Sequence, residues 1–413
     1  MNPTIPSFML KNITQHFLNM LMKPYWIVAF TALLSAAAWF TPDSFGLYKG
    51  YNKPASISQI SMMIIYSWYS CIFILTYIGF NIGKKLKIIT EFNSYANLDN
   101  DFIYKAYSWI ALLGFSYTVI VTIKVIGITG FIFSVVTFTT NNIAEAIYKD
   151  YHQGIFSLRY ILVISFGIAL YRTVILKKYR ALDFLNFVVF VFYIAFFGRR
   201  LQLLCSLMVF FTLANRDLNF LSKVKIKKIL ILTIFGFAML STATLLRGYG
   251  SYAKMGYTNP FAAIATNVVS YLAAPFQVSL GVANNIEEAF GNKRYWQFAD
   301  IEENLTANSA FVGMPIENGL FSLVIIIFYS VVFSVLAGWF YKNRHNYLYM
   351  SYPVILYAFA ELWRIDLFNK GIFITLLIVS ATVPILCTLL FCLLPRKNPT
   401  PLNLVVHTND TPL

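Results

Sequence analysis

Long apolar runs separated by short basic seams make up most of the chain. Ten of these runs have the hydropathy of bilayer-crossing helices: 25–41, 60–82, 105–124, 159–175, 182–197, 201–215, 229–246, 318–341, 348–363 and 371–394. A perpendicular helix needs about 20 residues to cross roughly 30 Å of hydrocarbon. Several runs are shorter, so flanking Lys and Arg are expected to snorkel to the headgroups. The pattern predicts an all-α, polytopic integral membrane protein with about ten transmembrane helices. Two further apolar runs, 126–147 and 262–282, are broken by polar or helix-breaking residues, at 139–142 and at Pro275. Either one spanning alone would turn every later basic loop outward. Both are therefore expected as interfacial or re-entrant segments of the outer side, and irregular backbone at that depth needs protein or a wet cavity around it. No period of 20–50 residues repeats. The expected organisation is one transmembrane domain, 1–394, with a large late outer loop, 247–317, and a disordered cytoplasmic tail, 395–413. The N-terminal stretch lacks the short apolar core and small-residue cleavage site of a secretory signal, so it is expected to be retained.

Composition agrees and charge adds direction. Of 413 residues, 58% are hydrophobic and 12% charged, against about 25% charged in soluble domains. A net charge of +15 would by itself suit a nucleic-acid partner, but its distribution gives a different account. With both termini cytoplasmic, "KKLK" (84–87), "KKYR" (177–180), "KVKIKK" (223–228), "KNRH" (342–345) and "RK" (396–397) all fall inside. The inner side then holds 19 Lys+Arg against 6 Asp+Glu, and the outer side 13 against 11. This asymmetry is the positive-inside rule, so the excess charge sets topology and no nucleic-acid partner is expected. Cys71, Cys205, Cys387 and Cys392 lie inside predicted spans, where thiols behave as small hydrophobes, and His152 is the one outer histidine. No phosphate-binding loop, zinc-type spacing or nucleophile elbow is present, so no metal or cofactor is expected.

The candidate chemistry lies in arginines on the side that the topology rule disfavours. Gly198, Arg199 and Arg200 fall at the outer mouth between the fifth and sixth helices, Arg247 ends the seventh, and Arg364 follows the ninth on the same side. A guanidinium presents a planar fork of donors that grips phosphate in a bidentate way. Grouped at the outer leaflet, they point to a lipid phosphate or pyrophosphate; the plainer uses are snorkelling and ion pairing with Glu361 or Asp366. Tyr249, Tyr252, Tyr257, Tyr295 and Trp296 in the outer loop carry flat apolar faces with polar edges, which suit sugar rings and equally suit interfacial anchoring. Asp300, Glu302, Glu303, Glu317 and Asp366 are the outer carboxylates from which a base for a hydroxyl would come.

Three stretches carry a family resemblance. "GRR" (198–200) leads into a short helix and a Lys-rich loop. "VVSYLAAPFQ" (268–277) has an aromatic-Leu-small-small-Pro core. "NSAFVGMPIENGLFSLVI" (308–325) passes through an acidic-polar-Gly turn into the next helix. With the helix count and the late loop, these resemble the O-antigen polymerase (Wzy-type) family of bacterial inner-membrane proteins. The departure is Glu317-Asn318-Gly319, where an Asp-aromatic-Gly arrangement is common. The resemblance implies a GT-C-like integral-membrane glycosyltransferase that joins undecaprenyl-pyrophosphate-linked oligosaccharide repeat units at the periplasmic face, without nucleotide sugar, metal or cofactor. Lipid-linked glycan is then both donor and acceptor, in a setting of membrane lipid, with a chain-length regulator and a flippase as partners. It assigns Arg199 and Arg200 to the pyrophosphate with Arg247 and Arg364 in support, Glu317 to the acceptor, and Tyr249, Tyr252, Tyr271, Trp296 and Asn308 to substrate binding. An O-antigen ligase shares that donor and that need for arginines. A transporter or flippase of lipid-linked sugars is the reading from another class, and charge at mid-span is its mark.

Overall fold

The computed structural model describes residues 7–86, 101–137, 154–197, 200–216, 226–254, 259–289, 298–301 and 309–393, with positions 140, 143, 146, 147 and 256. For some helical residues, among them Arg200, Arg247, Tyr252 and Glu317, the description covers the backbone alone. The tail 395–413 lies outside the described residues.

These residues form helices and connecting turns, with a single isolated bridge between Tyr51 and Ile301. In chain order the main helices are α1 (Ser7–Leu21), α2 (Pro24–Trp39), α3 (Gln59–Lys85), α4 (Asp101–Val136), α5 (Leu162–Val174), α6 (Ala181–Phe197), α7 (Arg200–Ala214), α8 (Ile226–Lys254), α9 (Pro260–Asn284), α10 (Ala310–Asn318), α11 (Phe321–Lys342), α12 (Tyr352–Glu361) and α13 (Gly371–Leu393). Six helical stretches have the length and apolarity to cross a bilayer, and a seventh does if α1 and α2, bent by 100°, count as one. The protein is thus an all-helical polytopic membrane protein. Helices 181–197, 201–214 and 234–246 are apolar but shorter.

Each of the ten predicted runs contains a helix, with three differences. The run 348–363 yields only the ten residues of α12, because Asn346 first caps a 3₁₀ turn, Tyr347–Ser351, and Pro353 then starts the α-helix. Pro275, expected as a break, lies inside a continuous 25-residue α9 that Asn259 caps through Phe261 N. A proline costs one backbone hydrogen bond, which packed neighbours can offset inside a bundle. Lastly, α4 runs on past the seam expected near residue 125 and turns at Gly127, whose φ of 69° suits a residue without Cβ.

The strongest packing joins α3 to α11. Gly79 faces Val331 and Ser334, while Gly83 faces Val335 and Trp339. Residue numbers rise together along both helices, so they are parallel and both end in lysine, Lys84–Lys85 and Lys342. Lys342 Nζ reaches Leu86 O, and Lys23, in the turn before α2, is an electrostatic neighbour of Lys84. Basic ends expected on one side of the membrane therefore share one face of the bundle.

That face is stapled by an ion network. Arg172, ending α5, donates Nε to Asp183 Oδ1 at 3.0 Å and pairs with Asp101, which also binds Arg180. Asp183 Oδ2 in turn caps Arg180 N at 2.9 Å. Side chains of Arg172 and Asp183 are 4% and 2% exposed, so removing one partner leaves a buried charge. Arg172→Ala strands the Asp183 carboxylate and is expected to lower stability by about 3–5 kcal/mol, seen as a lowered melting temperature in detergent; an unchanged melting curve contradicts it.

Candidate functional site

The site grows from α12, whose sequence "YPVILYAFAE" is buried at every position. Its first residue stands near the lysine-bearing face: Tyr352 OH donates to Met22 O, and its ring meets Tyr341. Glu361 and Arg364, at its far end, are buried among the helices, 3% and 7% exposed. Arg364 Nε donates to Glu361 Oε2 at 3.1 Å, and its guanidinium lies 4.6 Å from the centre of the Tyr271 ring. Tyr271 packs edge-on against Trp363 at 5.8 Å. Nη2 of Arg364 is buried and has no hydrogen-bond partner among the described residues. An ion pair removed from water survives only with good geometry, and ionisable groups at membrane depth usually serve function.

Beside this pair lies a cavity of about 470 Å³. Phe30 and Leu34 of α2, Leu204 and Met208 of α7, and Leu240 of α8 make most of its wall apolar. Thr244, Tyr271, Tyr357, Glu361 and Trp363 supply its polar side. Thr244 Oγ1 and Tyr357 OH are buried without a hydrogen-bond partner among the described residues. Buried polar atoms are normally satisfied, so two unpartnered hydroxyls on residues that line the cavity stand out. The shape is amphipathic: an apolar sleeve with one charged, hydroxyl-bearing side.

Helix register brings other sequence-predicted residues to the same place. Along α7, Tyr349 OH meets Thr212 O near the lysine-bearing face, and Cys205 neighbours Glu361. Arg200 starts α7 five residues further on, about 7.5 Å along the axis, which brings its backbone to the height of Arg364. It stands one turn before the lining residue Leu204, and Arg247 stands one turn beyond the lining residue Thr244. Glu317 is more distant. Ala310 N bonds Leu362 O at 3.1 Å, and Glu317 lies seven residues, about 10 Å, along α10. Tyr249, half-buried, and Tyr252 fall further along α8. Arg199, Trp296 and Asn308 lie outside the described residues.

Arg159 is the residue that the reading of the sequence passed over. It lies in the 3₁₀ segment Gly154–Ile161 that leads into α5, is 3% exposed, and holds its guanidinium 3.4 Å from the Phe156 ring centre. Tyr160 stacks beyond it at 5.0 Å. α5 and α7 run the same way, and Gly167 packs on Ser206 and Val209. Eight residues back from Gly167 is Arg159, and six to nine back from that contact is Arg200, so the two share a height. An arginine at the start of an apolar run is the signal that the sequence carries for it.

Among the described residues, no three of His, Cys, Asp and Glu come together as metal ligands. Compared with protein-family models, curated proteins and solved structures, the chain matches none.

Proposed function

We propose that this protein is a membrane-embedded glycosyltransferase that polymerises undecaprenyl-pyrophosphate-linked oligosaccharide units at the outer face of a bacterial inner membrane. The observation that carries the reading is the amphipathic cavity beside the buried Arg364–Glu361 pair. An isoprenoid chain suits the apolar sleeve, and a pyrophosphate suits the Arg364 guanidinium together with Arg200 and Arg247, whose backbone positions on α7 and α8 stand one turn from residues lining the cavity. In the transfer, a hydroxyl oxygen of one lipid-linked unit bonds to the anomeric carbon of the other. The bond from that carbon to the pyrophosphate oxygen breaks, and the leaving pyrophosphate takes the electron pair. Charge grows on the leaving group, so fixed cations favour the transition state over the ground state. The hydroxyl proton passes to a carboxylate, for which Glu317 at the end of α10 is the candidate, while Glu361 holds Arg364 in place.

The double replacement Arg199→Ala/Arg200→Ala is expected to leave the protein in the membrane and abolish long glycan ladders on electrophoresis. Normal ladders refute the assignment. Two other activities separate in the same cells: loss of a ligase leaves lipid-linked polymer to accumulate, whereas loss of a polymerase leaves single-unit caps. A flippase is the second reading, favoured by the burial of the Arg364–Glu361 pair among the helices, since transporters carry buried charge. Conversion of lipid-linked units to polymer by the purified protein in detergent selects the transferase.

A further inference from the structure

Between α2 and α3 the chain makes a short connection, 40–58, on the face opposite the lysine-rich ends. It is held in a fixed shape by one side chain 222 residues away: Gln277 Oε1 accepts from Trp39 Nε1 at 2.7 Å and from Ala55 N at 3.0 Å. Gln277 Nε2 donates to Lys53 O at 2.9 Å and Ala299 O at 2.8 Å, so the amide is saturated. Asn284 ties the end of the connection to Ser56 and Ser58. This bracing encloses a second cavity of about 420 Å³, within the usual range for small-molecule sites.

Its walls differ in kind from the apolar sleeve. Trp39, Tyr48 and Tyr51 give it aromatic faces, with Trp39 and Tyr51 stacked at 6.4 Å and 29°, while Thr41, Asp43 and Asn52 give it polar edges. Lys49 also lines it, with Nζ closed on Asp43 at 2.7 Å and on Trp39 O at 3.3 Å, while the Asp43 carboxylate, 89% exposed, stays open as an acceptor. Tyr51 is 8% exposed, yet its hydroxyl has no hydrogen-bond partner among the described residues. Burial, and then the charge of Asp43, raise the Tyr51 pKa, so the phenol stays protonated and able to donate. Flat rings beside hydrogen-bonding groups that include an acceptor carboxylate match a pyranose, which has C–H faces and a rim of hydroxyls.

We infer that the pocket of Trp39, Tyr48, Tyr51 and Asn52 is a subsite for a neutral or N-acetylated hexose of the glycan. The inference rests on the proposed glycan chemistry, and it places sugar recognition in a connection apart from the arginines. Its test needs neither lipid nor turnover. In nanodiscs, saturation-transfer NMR with maltotriose and with N,N′,N″-triacetylchitotriose is expected to show transfer to ring C–H protons of at least one sugar, above empty nanodiscs. Tyr51→Phe deletes only the buried hydroxyl, and Asn52→Ala an exposed amide; at least one is expected to weaken binding about three- to tenfold, with melting temperature unchanged. No transfer from the wild-type chain, or undiminished transfer in both variants, overturns the subsite and leaves the aromatics as interfacial anchors. Sugar binding by a purified protein that extends no chain keeps the subsite and removes the polymerase reading; chain extension without sugar binding does the reverse.

Discussion

Replacing Arg364 with Ala is expected to abolish glycan extension and to destabilise the protein severely, for two separable reasons. Glu361 is 4% exposed at its side chain and accepts from Arg364 Nε. Without the guanidinium its carboxylate is a lone buried charge, and breaking such a pair from one side costs about 3–5 kcal/mol. That is a large share of the roughly 5–15 kcal/mol that holds a typical folded domain. Tyr271 also loses the cation 4.6 Å from its ring centre. Removing both charges separates folding from function. In Glu361→Leu/Arg364→Met no charge stays buried, and replacing a buried pair by apolar groups of similar volume is commonly neutral or stabilising. The double variant is thus expected to regain a wild-type melting temperature in detergent, yet to yield only single-unit caps. If the apolar double variant makes normal ladders, Arg364 holds helices together and does not hold pyrophosphate.

How far this site was legible depends on which physical signal each part leaves in the sequence. Hydropathy marks what avoids water, so all ten apolar runs contain helices. It does not distinguish a helix facing lipid from one enclosed by protein, because both are apolar all round. That is why 348–363 read as a span, whereas α12 is a ten-residue helix with every residue buried. The burial of Arg364 follows from that enclosure. Charge asymmetry was the better guide, since Lys84 and Lys342 close two parallel helices on one face. Arg200 and Arg247 are legible as arginines expected on the disfavoured side, but the nearness of their backbone positions to one cavity depends on how α7 and α8 pack. The pocket at 40–54 left almost no signal, because its aromatics converge only through Gln277, far away in sequence.

Adding a methyl group at Gly83 or Gly338 is expected to disturb the bundle more than most substitutions of a much larger side chain at its surface. A Cβ on Gly83 would stand 2.0 Å from Val335 O, and one on Gly338 would stand 2.0 Å from Phe80 O. Both obstacles are backbone, so no side-chain rotation relieves them and α3 must move off α11. Small residues allow such close approach between membrane helices, where dispersion replaces the hydrophobic effect as the attraction. Overpacking of this kind costs about 1–3 kcal/mol per site, and the two sites lie on one seam, so their effects should not add. Gly236 is the internal control. A Cβ there meets only Leu207 Cδ1 at 3.8 Å, so Gly236→Ala keeps the helical gain of about 0.5–1 kcal/mol. Melting temperatures in detergent should therefore fall for Gly83→Ala and Gly338→Ala and hold or rise for Gly236→Ala. The seam also bears on the site. Beyond it a groove of about 610 Å³ lies between α3 and α11, lined also by Phe311 of α10. Wedging the glycines apart shifts the wall against which α10 rests, so chain extension should weaken in step with the melting temperature. Equal melting of all three variants would mean that the close backbone approach contributes nothing to the fold.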